Sequence, residues 1–387
     1  MNSEMNKQQQ ATPAPHHHTV GRKLLSVVSM LLIFSLGIVV GMTSNSNTSV
    51  FPRMYLPSFV PPWPPSPPPQ LPGLASFVAA PGAVAHNMTD EELFWRASMA
   101  PQVLSTPYHR VPKVAFMFMT AGELPLRPLW EKFFAGQDPR LYSIYVHTSP
   151  SYNSSPPADS VFYGRMIPSQ ATSWGDITLV DAERRLLANA LLDLGNERFA
   201  LLSDSAIPLH AFPTVYAYLT GSNASFVDSF VNHDSEVRYN PFFQQCCNIT
   251  LAQWRKGFEW FEMERALAVA VVADTAYYPA FRQYCARRRY CLMDEHYIPT
   301  LLNVTGWRRN AGRIVTYEDW RRQGSHPRIN YGRDVTEALL REIRAGAGKN
   351  CTYNGKPAAI CYLFARKFAP DTLQPLLALA PKILGFG

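Results

Sequence analysis

Residues 24–42 (LLSVVSMLLIFSLGIVVGM) run for 19 positions without a charge, and this stretch limits what the chain can be. At about 1.5 Å per residue a helix of that length spans roughly 28 Å, close to the ~30 Å hydrocarbon core of a bilayer. Arg22 and Lys23 precede it directly, Lys7 lies further back, and no basic residue follows until Arg53. The positive-inside rule then leaves the short N-terminus in the cytosol and sends the rest across the membrane. A cleaved signal peptide is the rival reading. Its apolar run is usually about 7–15 residues and ends in small residues, which Thr43-Ser44-Asn45 matches poorly. His16, His17 and His18 read as part of a polar tail.

The chain has 33 prolines in 387 residues, and they crowd into residues 52–81. Such a segment excludes a helix or a central strand and predicts an extended polyproline spacer. The same composition suits SH3 or WW ligands, but those partners are cytosolic. Asn47, Asn87, Asn153, Asn223, Asn248, Asn303 and Asn350 all open N-x-S/T sequons, and all follow the apolar stretch. The six cysteines lie beyond the proline segment, where oxidation is possible. The predicted layout is a cytosolic tail at 1–23, a transmembrane signal anchor at 24–42, a proline-rich lumenal stem at 43–110 and a lumenal globular domain at 111–387. A net charge of +7 with pI ≈ 9.1 is mild for this size. It does not indicate a nucleic-acid partner.

Past residue 111 the pattern alternates. Residues 113–120 (KVAFMFMT), 141–146 (LYSIYV), 199–202 (FALL) and 225–230 (SFVDSF) read as strands. Residues 125–134, a pattern within 172–194, and 212–219 read as helices, with more near 262–273, 294–302 and 334–344. Strands alternating with helices predict an α/β domain with a mostly parallel sheet. The familiar catalytic signatures are missing: no G-x-G-x-x-G, Walker loop, G-x-S-x-G, H-E-x-x-H or C-x-x-C occurs. Neither does D-x-D, which many sugar-nucleotide transferases use to hold a divalent metal. What remains is Asp294-Glu295 at an apparent helix start, which could equally be a cap, and an arginine-rich region with Arg287, Arg288, Arg289, Arg308, Arg309, Arg321 and Arg322. Trp254, Trp260, Trp307 and Trp320 could stack on sugars or fill a core. Asp204 ends an apparent parallel strand, where ligands tend to sit, or simply caps a turn.

The segments VAFMFMTAGELPLRPLWEKFF, LYSIYVHTSP, SWGDITLVDAERRLLANAL, FALLSDSAIPLHAFPTVYAYL, QWRKGFEWFEMERALA, YCLMDEHYIPTLL and CTYNGKPAAICYLFARKF, taken in order, resemble glycosyltransferase family 14. These are the core-2/I-branching β-1,6-N-acetylglucosaminyltransferase-like proteins, and the likeness is to their plant branch. The resemblance implies a GT-A-like fold, a Rossmann-like sheet, and an inverting reaction without a metal or other cofactor. It assigns Glu295 as general base and Lys367, in Ala365-Arg366-Lys367-Phe368, to the donor diphosphate, with Arg366 beside it. The animal enzymes have an arginine just before the second cysteine of their C-terminal pair; here Lys356 is the nearest substitute. Fixed cations would stabilise the charge growing on the leaving group.

The same resemblance implies a Cys351–Cys361 disulfide, and leaves the pairing of Cys246, Cys247, Cys285 and Cys291 open. His147 falls where the animal enzymes place an acid near the nucleotide. Trp174, Gly175 and Asp176 match a turn before the long helix. Asp204 and Asp294 stay as nucleotide or acceptor contacts. Implied partners are a UDP-sugar, carrying N-acetylglucosamine or glucuronic acid, and a glycan or proteoglycan acceptor, in the Golgi membrane. A non-catalytic lumenal protein that keeps the fold and binds glycans or partner enzymes is the alternative. A glycoside hydrolase is poorer, since it needs two acids about 5–10 Å apart and no second acid is marked out.

Overall fold

The computed structural model describes residues 30–33 and 73–387, apart from 102, 104, 289, 322 and 323. The expected tail, most of the membrane span, the proline run up to 72, the Asn47 sequon, Arg289 and Arg322 lie outside the described residues. Among the described residues, 30–33 are helical and no helix is long and apolar enough to cross a membrane.

Residues 71–387 form one packed unit. Its centre is the strand Lys113–Met119 (β1), buried on both faces. Val114, Phe116 and Phe118 point into one core, and Ala115, Met117 and Met119 into the other. Alternation along a pleated strand makes that division, so a continuous apolar run is what a central strand requires. Tyr142–His147 (β2) and Asn196–Ser203 (β3) flank it in parallel, and Glu262–Glu264 (β5) adds an antiparallel edge, giving the order β2-β1-β3-β5. A second sheet joins Ile207–Pro208 (β4), Phe364–Arg366 (β9) and Thr316–Glu318 (β6). Cys351–Tyr353 (β7) and Lys356–Ala358 (β8) make a hairpin. The mixed α/β architecture with a parallel-rich sheet is the one the alternating pattern predicts.

Three expectations change. Residues 225–230 form only isolated bridges, to Asn310, Glu262 and Lys256. The fourth strand of the main sheet is instead Glu262–Glu264, which had been read as the start of a helix. Its Glu262 is fully buried because Arg198 on β3 meets it at 2.5 Å, and that pairing outweighs helix propensity. Residues 74–78 form a short helix inside the predicted polyproline spacer, since prolines are absent from 73 to 80. The third change concerns the stem. The helix Asp90–Ala97 buries Leu93 and Ala97 in the main core, so part of the expected stem belongs to the globular unit. Thr89 and Glu92 close its first turn as a capping box.

The long helix Thr178–Leu191 is buried on nearly every side, charged residues included. One face packs on the sheet. Its outer face meets the helices Asp90–Ala97 and Arg265–Ala273, so its polar residues find partners there. Arg185 pairs with Asp90 at 2.6 Å. Arg184 donates to the backbone carbonyls of Val271, Val272 and Asp274 at the end of the neighbouring helix. Glu183 is the exception: it is buried and neither carboxyl oxygen has a hydrogen-bond partner.

Candidate active site

A cleft of about 350 Å³ opens at the C-terminal ends of β1 and β3, where the outward splay of parallel strands leaves space for a ligand. Its floor is Met119, Thr120 and Ala121 beyond β1, with Ser203 and Asp204 ending β3. One wall is the turn Met293–Glu295, which brings Asp294 and Glu295. Arg366 and Lys367 line the cleft from the end of β9. Phe258, Glu259 and Trp260 enter from the segment before β5, and Glu318 and Trp320 from the end of β6. These six separate stretches of chain build one site.

Trp174 stands at the rim, about half exposed, with its ring near Tyr290 and His326. Gly175 turns the chain below it with φ +75, a left-handed conformation, and a Cβ there would lie 2.9 Å from Tyr290. Its carbonyl accepts the N–H groups of Cys291 and Leu292. That ties the Trp174 turn to the loop closed by the Cys285–Cys291 disulfide. Asp176 accepts from Thr178 N–H at the start of the long helix.

Glu295 is held by two cations. Arg238 donates to its Oε2, and Lys256 Nζ lies 3.3 Å from the same oxygen. Its backbone carbonyl accepts from Gly257 N–H. Next to it Asp294 is largely buried, with Oδ1 unpartnered. Burial, reinforced by the Glu295 charge, raises its pKa to about 6. The following His296 is sealed inside against Trp254, ring centroids 4.7 Å apart, and burial lowers its pKa to about 4.

The two cations Arg366 and Lys367 are not equivalent. Arg366 Nη1 meets Glu318 Oε1 at 2.5 Å, its Nε donates to Ser203, and its guanidinium lies over Trp260 at 4.3 Å. Its charge is already paired. Lys367 has no ion pair among the described residues. Its backbone carbonyl accepts from Asn330, so the ammonium is presented from a fixed main chain. Burial, then the adjacent Arg366, lowers its pKa. The site thus offers a carboxylate and an ammonium without an ion pair in one cleft.

Glu295, Asp294, Asp204, Trp174, Arg366 and Lys367 come together here. His147 and Lys356 do not. His147 lies inside the fold: Gln170 N–H and Arg185 both approach its Nε2, and burial lowers its pKa to about 4. Lys356 sits exposed on the β7–β8 hairpin. Cys351 and Cys361 form a disulfide, and Cys246 and Cys247 are both free. Of the tryptophans, Trp260 and Trp320 line the cleft, while Trp254 is core. Asn87, Asn153, Asn223, Asn248 and Asn350 are exposed. Asn303 is half-buried, its side-chain amide donating to Gln253. Sequence reasoning passed over Arg238, Lys256, Glu259 and Glu318. Only the K-G-F-E-W run, inside a segment that resembles the family, pointed near any of them. Among the described residues no group of three His, Cys, Asp or Glu side chains is placed to hold a metal.

Residues 114–344 match the family Core-2/I-Branching enzyme. The chain is also 35% identical over 309 residues to Glycosyltransferase BC10 of Oryza sativa subsp. japonica, covering 69% of this chain and 76% of the relative. A family match across most of the packed unit, with that relative beside it, shows that the chain belongs to the core-2/I-branching family of glycosyltransferases.

Proposed function

We propose that the chain is an inverting, metal-independent transferase that moves a sugar from a UDP-sugar to a hydroxyl of a glycan acceptor. The observation that carries this is the meeting of Glu295 and Lys367 in one cleft. In the reaction the acceptor oxygen attacks the anomeric carbon from the face opposite UDP. The new C–O bond forms as the bond to the diphosphate oxygen breaks. The acceptor proton passes to Glu295, and the charge left on UDP is met by Lys367. A carboxylate suffices as base because the hydroxyl becomes acidic only as the bond forms. Preorganised cations do the electrostatic work at the leaving group.

Arg366, fastened to Glu318, acts chiefly by placing the Lys367 backbone and adding positive potential. Trp174 and Trp320 offer ring faces for sugar stacking. The transferred sugar is N-acetylglucosamine or glucuronic acid. The chain is a type II Golgi membrane protein with its catalytic unit in the lumen, a reading supported by seven sequons that all follow the apolar stretch.

The test uses the full-length chain, expressed with disulfides and glycans intact, incubated in EDTA with a panel of UDP-sugars and pooled wall and glycoprotein acceptors. Acceptor-dependent UDP release with one donor, lost in Glu295→Gln, is the expected result. Absence of both release and UDP binding with every donor would overturn the proposal in favour of a non-catalytic glycan-binding protein. Loss of release on adding EDTA would overturn the metal-free mechanism alone.

A further inference from the structure

Glu259 shares the cleft with Lys367 and Arg366, yet it forms no ion pair and no side-chain hydrogen bond among the described residues. Two further acids stand around it. Asp294 lines the same cleft, with one oxygen unpartnered. Glu183 projects from the long helix, 1% exposed, with both oxygens unpartnered. Glu259 is half-buried at the cleft wall, and carboxyl groups grouped in this way do not all ionise together, since each charge raises the cost of the next. For Glu183 the two unpartnered oxygens fit a neutral acid, because a buried carboxylate without donors is far more costly than a buried carboxylic acid.

We propose that Glu259 is a positioning residue that competes with the donor's diphosphate for Lys367 and Arg366, with Asp294 setting how strongly it competes. This rests on the donor-site reading above. The groups facing Glu259 are Glu183 from the long helix, Asp294 from the 293–295 turn, Glu318 from β6, and Arg366 and Lys367 from β9. Burial, then the Asp294 charge, raises Glu259 to about 8, and burial and the same neighbours raise Glu183. While Glu259 keeps its proton, Lys367 is free to meet the diphosphate. Once Glu259 ionises it pairs with the ammonium, and UDP must displace it. Donor affinity therefore falls as pH rises through the ionisation of Glu259.

The experiment is calorimetric binding of UDP to the full-length chain at pH 7, 8 and 9, at constant ionic strength, with thermal melts confirming the fold at each pH. The dissociation constant of the wild-type protein should rise about tenfold from pH 7 to 9, the change expected for one competing ionisation centred midway. Glu259→Gln, which keeps the shape and cannot ionise, should bind as tightly at pH 7 and change by less than about twofold. Asp294→Asn removes the charge that repels an ionised Glu259 and should move the fall to lower pH, which a purely structural role for Asp294 would not do. A flat wild-type profile, or the same fall in Glu259→Gln, would assign the pH response elsewhere and overturn the proposal while leaving the donor site standing. No UDP binding by any of the three proteins at pH 7 would instead refute the donor site, and this inference with it.

Discussion

Replacing Glu295 by Gln separates chemistry from architecture at this site. The substitution keeps the side-chain shape and removes the basic oxygen. General-base catalysis is worth about 10²–10⁴ in rate, or roughly 3–5.5 kcal/mol of barrier. The structural cost is smaller. Glu295 pairs with Arg238 and Lys256 at 32% and 12% exposure, and part-exposed pairs of this kind contribute on the order of 1 kcal/mol. That is a shift of about 2–4 °C in melting temperature for a unit of this size. Transfer should therefore fall by at least about a hundredfold while UDP affinity and melting temperature stay near wild type. The assay is acceptor-dependent UDP release at saturating donor, beside calorimetric UDP binding and a thermal melt. Activity within tenfold of wild type would refute the assignment of Glu295 as base. Loss of UDP binding together with activity would show that Glu295 holds the site together instead.

Lys367→Ala should weaken UDP binding roughly 10- to 100-fold, the worth of one charge-assisted contact, without lowering the melting temperature; unchanged affinity in calorimetry would remove Lys367 from the donor site. Arg198→Met should strand Glu262 as an unpaired buried charge at a cost of about 3–5 kcal/mol, a melting point lower by on the order of 10 °C, and a shift below 2 °C would refute the reading of that pair as central to the sheet. His147, His210 and His296 are each lowered by burial to about 4. Unfolded histidine takes up its proton near pH 6.5, so between there and about pH 4 the unfolded state binds more protons and stability falls with acidification. The denaturant midpoint should decline through that window, more gently in His147→Gln, and a midpoint flat from pH 6.5 to 4 would contradict it.

Much of the fold was written locally. β1 is legible because a strand buried on both faces must be apolar along its buried length, and residues 114–119 are. The helix Arg127–Phe134 shows its proline in the first turn and its apolar face in the spacing of Leu129, Trp130, Phe133 and Phe134. The edge strand Glu262–Glu264 was not legible, because Glu-Met-Glu carries no strand signal without Arg198 beside it. The packing of Asp90–Ala97 was equally hidden. Its amphipathic pattern says that one face is buried, but not that the long helix receives it.

The site divides in the same way. Glu295 and Lys367 were found through motifs that resemble a family, and such motifs record chemistry with little regard to distance. That His147 is sealed inside the fold at the end of β2, that Arg366 is paired with Glu318, and that Glu259 stands unpaired in the cleft with Lys367 were decided by tertiary structure alone. Sequence determines residue type and local periodicity, because both are properties of neighbours along the chain. Charge pairing and burial belong to neighbours in space, and in this protein the stretches that build the cleft are as much as 248 residues apart, from Met119 at one end to Lys367 at the other.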